Sequence, residues 1–325
     1  MDQDTLFFVT LFDSYYMSRG LTLYESLKDH MENFVLYIIA FDQNAYEKLE
    51  ELHLKNVVLI SQREFEDEEL LAVKSHRSRG EYCWTSTPKA ILYVMEHYHV
   101  PMATYLDADI YFYQSPEILL REMQNTEDVL LTEHRYSPYC DQTATSGIYN
   151  VQFMPFKNNE NGLQILNWWK EKCLECCCID TEKGICGDQK YLDGWMQQFG
   201  GIHVLQHPGG GVAPWNVDQY TFRIQSNHVI LVDKLSRVRY PLIFYHFHNM
   251  KIYDKDVVGL TDGMYKIPDT AVTYIYKEYI RKMKLVCEKY QLNINKEVWC
   301  NIAHYNSDDL DTLVHDKNYY HFSLF

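Results

Sequence analysis

The feature that most constrains the fold is an alternation in the first third of the chain. Leu6-Phe7-Phe8-Val9-Thr10-Leu11, Phe34 to Phe41, Val57-Val58-Leu59-Ile60 and Ala103 to Leu106 are continuous apolar runs of strand length. Between them lie helical segments, Met17 to His30, Asn44 to Leu52 and Pro88 to His99; the first carries Leu21, Tyr24 and Leu27 on one face. Strands that are apolar at every position are buried on both faces, so the pattern predicts an α/β fold with a mostly parallel sheet between helices. Pro88 falls near the first turn of its predicted helix, where its missing N–H costs nothing. In sheets of this kind ligands bind beyond the carboxyl ends of the strands.

One such end carries Asp107-Ala108-Asp109. In an extended strand, side chains i and i+2 share a face, so the two carboxylates converge, with only Ala108 between them. Converging anions repel unless one is protonated or a cation lies between them. Hard oxygen ligands suit Mg²⁺ or Mn²⁺, ions that commonly bridge to phosphate oxygens. Taken alone, the pair is equally compatible with a polar strand end.

The second half is less regular. Asp128 to Thr132, Ile148 to Met154, Ile202 to Leu205, Val229 to Val232 and Leu242 to Tyr245 read as strands. Leu163 to Cys176, Gln189 to Gln198 and Asp269 to Tyr290 read as helices. Pro208-Gly209-Gly210-Gly211 lacks the phosphate-loop pattern and reads as a turn that positions Trp215 and Asn216.

Composition narrows the function. A net charge of −15 argues against a nucleic-acid partner. Aromatic residues make up 15% of the chain, with 27 tyrosines, which suits a wet cleft for polar ring-shaped ligands. The polar start and the lack of a membrane-length apolar run give a cytoplasmic expectation. Tyr274 to Lys289 mixes Lys and Arg with aromatics; it fits a solvated helix packed on the domain, or a peripheral contact with the inner membrane face. Nine cysteines without a secretion signal indicate reduced thiols. The cluster Cys173, Cys176, Cys177, Cys178 and Cys186 reads as small apolar residues, with structural zinc as the alternative.

Other residues invite chemistry. His246 and His248 are two apart, and either could add an imidazole nitrogen to the aspartate pair, with His246 the first choice; that nitrogen would shift preference toward Mn²⁺. Lys89, in Thr85-Ser86-Thr87-Pro88-Lys89, could meet a phosphate beside a helix N-terminus; equally, Ser86 or Thr87 is only a cap. Asp188 and Gln189 would open a helix, where Asp188 could serve as its cap.

Five segments in order resemble nucleotide-sugar glycosyltransferases of the GT-A fold and are similar to glycosyltransferase family 8 and related bacterial surface-polysaccharide transferases. They are Phe8-Val9-Thr10-Leu11-Phe12-Asp13-Ser14-Tyr15-Tyr16, Leu106-Asp107-Ala108-Asp109-Ile110, Thr145-Ser146-Gly147-Ile148-Tyr149-Asn150, Gly187-Asp188-Gln189-Lys190-Tyr191-Leu192, and Ala213-Pro214-Trp215-Asn216 followed by Tyr245-His246-Phe247-His248. The resemblance implies a catalytic domain over 1–253 and a C-terminal helical extension over 254–325 packed on it. It implies that Thr10, Phe12, Asp13 and Tyr15 cradle the nucleotide base. Asp107, Ala108 and Asp109 would meet the metal and diphosphate, Asn150 would lie beside the sugar, and Asp188 and Gln189 would act at the reaction centre. A late histidine would complete the metal site. Lys251 would approach the diphosphate, although it lacks the Pro-Trp that follows in family 8.

The implied activity is metal-dependent transfer of a hexose from a UDP-sugar to a glycan or lipid-linked acceptor in surface polysaccharide synthesis. An inverting reaction needs a base, for which Asp188, Asp141 and Glu133 are candidates; a retaining one needs none. A non-catalytic carbohydrate-binding protein on the same fold and a D-x-D phosphatase are the alternatives.

Overall fold

The computed structural model describes residues 5–180, 184–253, 257–292, 296–303 and 318–321. Its central sheet begins with four parallel strands, β1 (Leu6–Phe12), β2 (Phe34–Ala40), β3 (Val57–Ser61) and β4 (Met102–Leu106), in the order β3-β2-β1-β4. After β4 the chain turns through Asp107–Asp109 and leaves this sheet as β5 (Ile110–Phe112). It returns as β6 (Val129–Glu133), the short β7 (Tyr149–Asn150) and β8 (Phe153–Lys157). β8 lies antiparallel between β4 and β6. A hairpin, β9 (Ile179–Asp180) and β10 (Ile185–Cys186), precedes β11 (Ile202–Val204), which extends the sheet parallel to β6. The sheet is therefore mostly parallel and flanked by helices, as the alternation of apolar runs predicts.

The apolar runs are continuous because both faces are covered. Phe7, Val9 and Leu11 of β1 enter one core with the helices Arg79–Tyr98 and Glu160–Glu175, while Phe8 and Phe12 enter a second core with the helix Met17–His30. Each such side chain contributes about 1.5–3 kcal/mol by leaving water.

Three differences from the sequence reading affect the site. The helix predicted from Pro88 starts nine residues earlier, at Arg79, behind a capping box in which Ser78 and Glu81 bond each other's backbone N–H groups. Pro88 sits inside it. The proline costs a helical hydrogen bond, but Tyr82, Ala90, Ile91, Val94 and Met95 bury the face that keeps the helix running. Second, the strand predicted over Ile148 to Met154 is broken, because the Asn150 side chain accepts the Gln152 N–H at 3.0 Å and so separates β7 from β8. Third, the helix predicted from Gln189 is a 3-10 segment, Lys190–Gly194, followed by one α turn, Trp195–Gln198.

The remaining strands build the far side of the site. β12 (Tyr220–Gln225), β13 (His228–Asp233) and β14 (Arg239–Pro241) form a meander. β15 (Phe244–His246) pairs antiparallel with β5, setting His246 opposite Ile110. β16 (Lys251–Tyr253) pairs with β17 (Val257–Gly259), so the stretch after 253 supplies strand as well as helix.

The C-terminal helical segment runs over Asp269–Ala271, a π segment Val272–Tyr276, and Lys277–Lys289. The π segment has a partner outside the helix, since the Tyr113 hydroxyl donates to the Ile275 carbonyl at 3.0 Å. Cations of the last helix are paired within the protein, Lys282 with Asp29 at 2.7 Å and Lys289 with Glu25 at 2.8 Å. Parts of the expected extension, 304–317 and 322–325, lie outside the described residues. Among the described residues no helix is long and apolar enough to cross a membrane.

Candidate metal and donor site

The two aspartates converge, but through a turn rather than a strand. β4 ends at Leu106, and Asp107–Asp109 forms the tight connection to β5. The turn is held by backbone bonds, from Asp107 N–H to the Gln152 carbonyl at 3.1 Å and from Phe247 N–H to the Asp109 carbonyl at 2.9 Å. The second of these, with the β5–β15 pairing, brings His246 in from the far end of the chain. Its Nε2 lies 3.1 Å from Asp109 Oδ1 and 3.8 Å from Asp107 Oδ2. One ligand atom from each of Asp107, Asp109 and His246 lies within 4.8 Å of the other two.

Electrostatics follow from packing these groups together. Burial, reinforced by the Asp109 charge, raises Asp107 to about 6 against the pull of His246. Burial also opposes ionisation of Asp109, yet the charge and hydrogen bond of His246 outweigh it and hold Asp109 at about 2. Burial disfavours the His246 imidazolium, but the two carboxylates raise its pKa. Two carboxylate oxygens and one imidazole nitrogen are a fitting donor set for a divalent ion such as Mn²⁺.

His248 is a different case. The strand ends at His246, so the shared-face argument does not reach His248, which sits in the following turn. Its ring packs 5.5 Å from Trp215 and 5.7 Å from His246, and its Nε2 lies 3.1 Å from Asn249 Nδ2. Burial, then the neighbouring His246 charge, lowers it to about 4. It lines the cavity but stands outside the three-ligand group.

That cavity, about 680 Å³, opens above the trio. Phe12, Asp13 and Tyr15 line one side, as does Ala108 between the aspartates. The Asp13 carboxylate accepts the Tyr15 N–H at 3.0 Å and pairs with Arg79, whose guanidinium lies 4.3 Å from the centre of the Tyr15 ring. Asp188 is buried at the cavity floor, and burial together with the Asp107 charge raises it to about 8. It does not cap a helix. Gln189 donates from Nε2 to the Ser146 carbonyl at 2.8 Å and accepts from Asn150 Nδ2 at 3.0 Å, fixing the rim that carries Asn150.

Several expected residues are elsewhere. Lys89 does not line the cavity: it pairs with Asp67, with Glu69 at 3.8 Å, because the longer helix places it on another face. Ser86 and Thr87 are helix-interior residues, and the Thr87 hydroxyl bonds back to the Cys83 carbonyl at 3.3 Å. Thr10 is buried within β1 and does not line the cavity. Lys251 is exposed on β16 and is likewise absent from the lining. Of the three candidate bases only Asp188 lines it; Asp141 is exposed and bonds Thr143. We expect Lys89→Met to cost about 1 kcal/mol of stability or less, as for other ion pairs near the surface, and to leave donor turnover unchanged. Parallel urea unfolding and turnover assays of the variant check this.

Sequence reasoning missed Arg79, His134, Gln152 and Tyr265. His134 follows β6 at the same sheet end as the D-x-D, the one signal that could have flagged it. It is buried, and burial lowers it to about 3, so its ring is neutral. It stacks 4.6 Å from Tyr136 and meets Trp215 edge-on at 5.0 Å. Asn216 supports this wall from behind, donating to the His134 and Gly211 carbonyls at 2.8 and 2.9 Å. The cysteine cluster forms no ligand group among the described residues: Cys173 and Cys177 are buried in the core, and Cys176 Sγ lies 3.0 Å from Cys178 Sγ.

Two proteins of Bacillus subtilis (strain 168) are similar along most of their length. The uncharacterised protein YfnD is 32% identical over 288 residues, spanning 86% of this chain and 89% of YfnD. The uncharacterised protein YfnF is 30% identical over 241 residues, spanning 72% of this chain and 78% of YfnF. The chain belongs to the family of YfnD and YfnF. No family profile matches it. Among solved structures, the galactosyltransferase LgtC, crystallised with donor and acceptor sugar analogues, superposes with a TM-score of 0.50 at 12% identity, covering 86% of this chain and 96% of LgtC. This member of the YfnD family therefore has the GT-A type of nucleotide-sugar transferase fold.

Proposed function

We propose that the protein is a metal-dependent glycosyltransferase that moves a hexose from a UDP-sugar to a glycan or lipid-linked acceptor. The observation that carries this reading is the charge of the cavity around the Asp107–Asp109–His246 trio. Asp13, Asp107 and Asp109 line it against one guanidinium, Arg79, which Asp13 already engages. A diphosphate entering such a cavity meets repulsion unless a divalent cation accompanies it.

Asp107, Asp109 and His246 would hold a divalent ion, which would supply Lewis-acid stabilisation to the departing diphosphate, and the imidazole nitrogen would favour Mn²⁺ over Mg²⁺. The chain's own residues do the rest. Phe12, Asp13 and Tyr15 receive the base and ribose on one side. Asn150 and Gln189, cross-bonded, present a fixed rim to the sugar. Asp188, carrying its proton at neutral pH, offers a hydrogen bond to a sugar hydroxyl. Tyr136, Trp215 and Tyr265 pack together and line the same cavity, an aromatic surface suited to the apolar face of an acceptor sugar. Surface polysaccharide synthesis at the cytoplasmic face of the membrane is the setting that this reading implies.

The test is a panel of nucleotide sugars incubated with the protein and Mn²⁺ without acceptor, following nucleotide release. We expect slow UDP release, its loss in excess EDTA, and recovery on adding Mn²⁺ above the chelator. Release from none of the donors, or release that EDTA leaves unchanged, contradicts the reading.

A further inference from the structure

We propose that Gln152 is a positioning residue that fixes the tautomer and ring orientation of His246 and thereby sets the metal affinity of the site; this rests on the metal-dependent reading above. Gln152 is fully buried at the entry to β8. Three of its polar groups have assigned work. Its backbone carbonyl accepts the Asp107 N–H at 3.1 Å, and its own N–H is taken by Asn150 Oδ1 at 3.0 Å. Its side-chain Oε1 lies 2.9 Å from His246 Nδ1. One residue thus holds the aspartate turn through its backbone and the histidine through its side chain.

The amide orientation has a chemical consequence. A carbonyl oxygen only accepts, so His246 Nδ1 carries a hydrogen, and the other nitrogen is the one turned toward Asp107 and Asp109. With the amide reversed, Nδ1 would have to supply the lone pair and the hydrogen would sit on Nε2, where a metal must bind. The fourth polar group, Gln152 Nε2, has no hydrogen-bond partner among the described residues. A buried amide with an unmet N–H is costly, and a leucine of similar size would avoid that cost. Packing alone therefore does not account for glutamine here; the bond to His246 does. Gly211, at φ +79°, faces the amide closely enough that a Cβ there would lie 3.2 Å from Gln152 Nε2. Partners that orient a ligating histidine in this way typically govern metal affinity by about 10–100-fold.

The experiment is Mn²⁺ titration followed by electron paramagnetic resonance of the free ion, on wild type, Gln152→Leu, Gln152→Glu and His246→Ala, with thermal melting of each metal-free protein. We expect Gln152→Leu to weaken Mn²⁺ binding about 10–100-fold in protein that thermal melting shows to be folded. Gln152→Glu, which still accepts from Nδ1, should retain wild-type affinity or bind more tightly. Gln152→Met carries the same expectation as Gln152→Leu if the latter does not fold. Equal affinity in wild type and the apolar variant overturns this inference alone. Absence of Mn²⁺ binding in wild type, or binding that His246→Ala leaves intact, overturns the metal reading and this inference with it.

Discussion

Replacing Asp109 with asparagine is expected to reduce donor turnover by about a thousandfold or more while the protein stays folded. Asparagine has the same shape, and the Asp109 backbone carbonyl that pins Phe247 is untouched. What disappears is the charge of the carboxylate nearest His246, at 3.1 Å against 3.8 Å for Asp107. A Lewis acid is worth several kcal/mol to a developing anion, and each ~1.4 kcal/mol is tenfold in rate. Stability should not fall in step, because the Asp109 charge also raises the neighbouring Asp107, and removing it relieves that repulsion. UDP release measured beside thermal melting separates the two effects. Turnover within tenfold of wild type, in a folded variant, would contradict the role given to Asp109.

The second large effect lies in the core beneath the site. Trp169 is fully buried, stacks on Phe156 with centroids 6.2 Å apart and meets Trp195 edge-on at 5.7 Å. Its indole N–H donates to the backbone carbonyl of Asp188 at 2.9 Å. Trp169→Ala should cost about 3–5 kcal/mol through lost burial and the cavity left behind. Trp169→Phe keeps a ring but abandons the Asp188 carbonyl. It should lose about 1–3 kcal/mol and should slow turnover in protein that remains folded. Urea unfolding of both variants, with turnover measured well below the transition, is the check. A Trp169→Ala protein as stable as wild type would mean that the helix Glu160–Glu175 does not support the site in this way.

These two residues mark what the sequence could and could not reveal. The four parallel strands were legible because burial on both faces leaves an unbroken apolar run, as in β1, where Phe7 and Phe8 enter different cores. The convergence of the aspartate pair was legible, though a turn, not a pleat, brings the carboxylates together. The choice of His246 over His248 was not decidable from spacing, because it depends on where β15 ends and on its pairing with β5, more than a hundred residues away in sequence. Pro88 resembles a first-turn proline and so points to a helix start at Lys89, but the capping box at Ser78 and Glu81 is the stronger signal. Asp188 resembled a cap, but the segment after it is a 3-10 turn, and its character comes from burial beside Asp107. Gln152 and Arg79 have no local pattern, and His134 has only its place after β6: tertiary contacts select them, through the His246 ring, the Asp13 carboxylate and the Trp215 wall.

The most direct test of the account is calorimetric titration of UDP into the wild-type protein, once with Mn²⁺ and once with EDTA in its place. Saturable binding is expected with Mn²⁺, and no measurable heat of binding with EDTA. Equal UDP affinity in both titrations, or none in either, would contradict it.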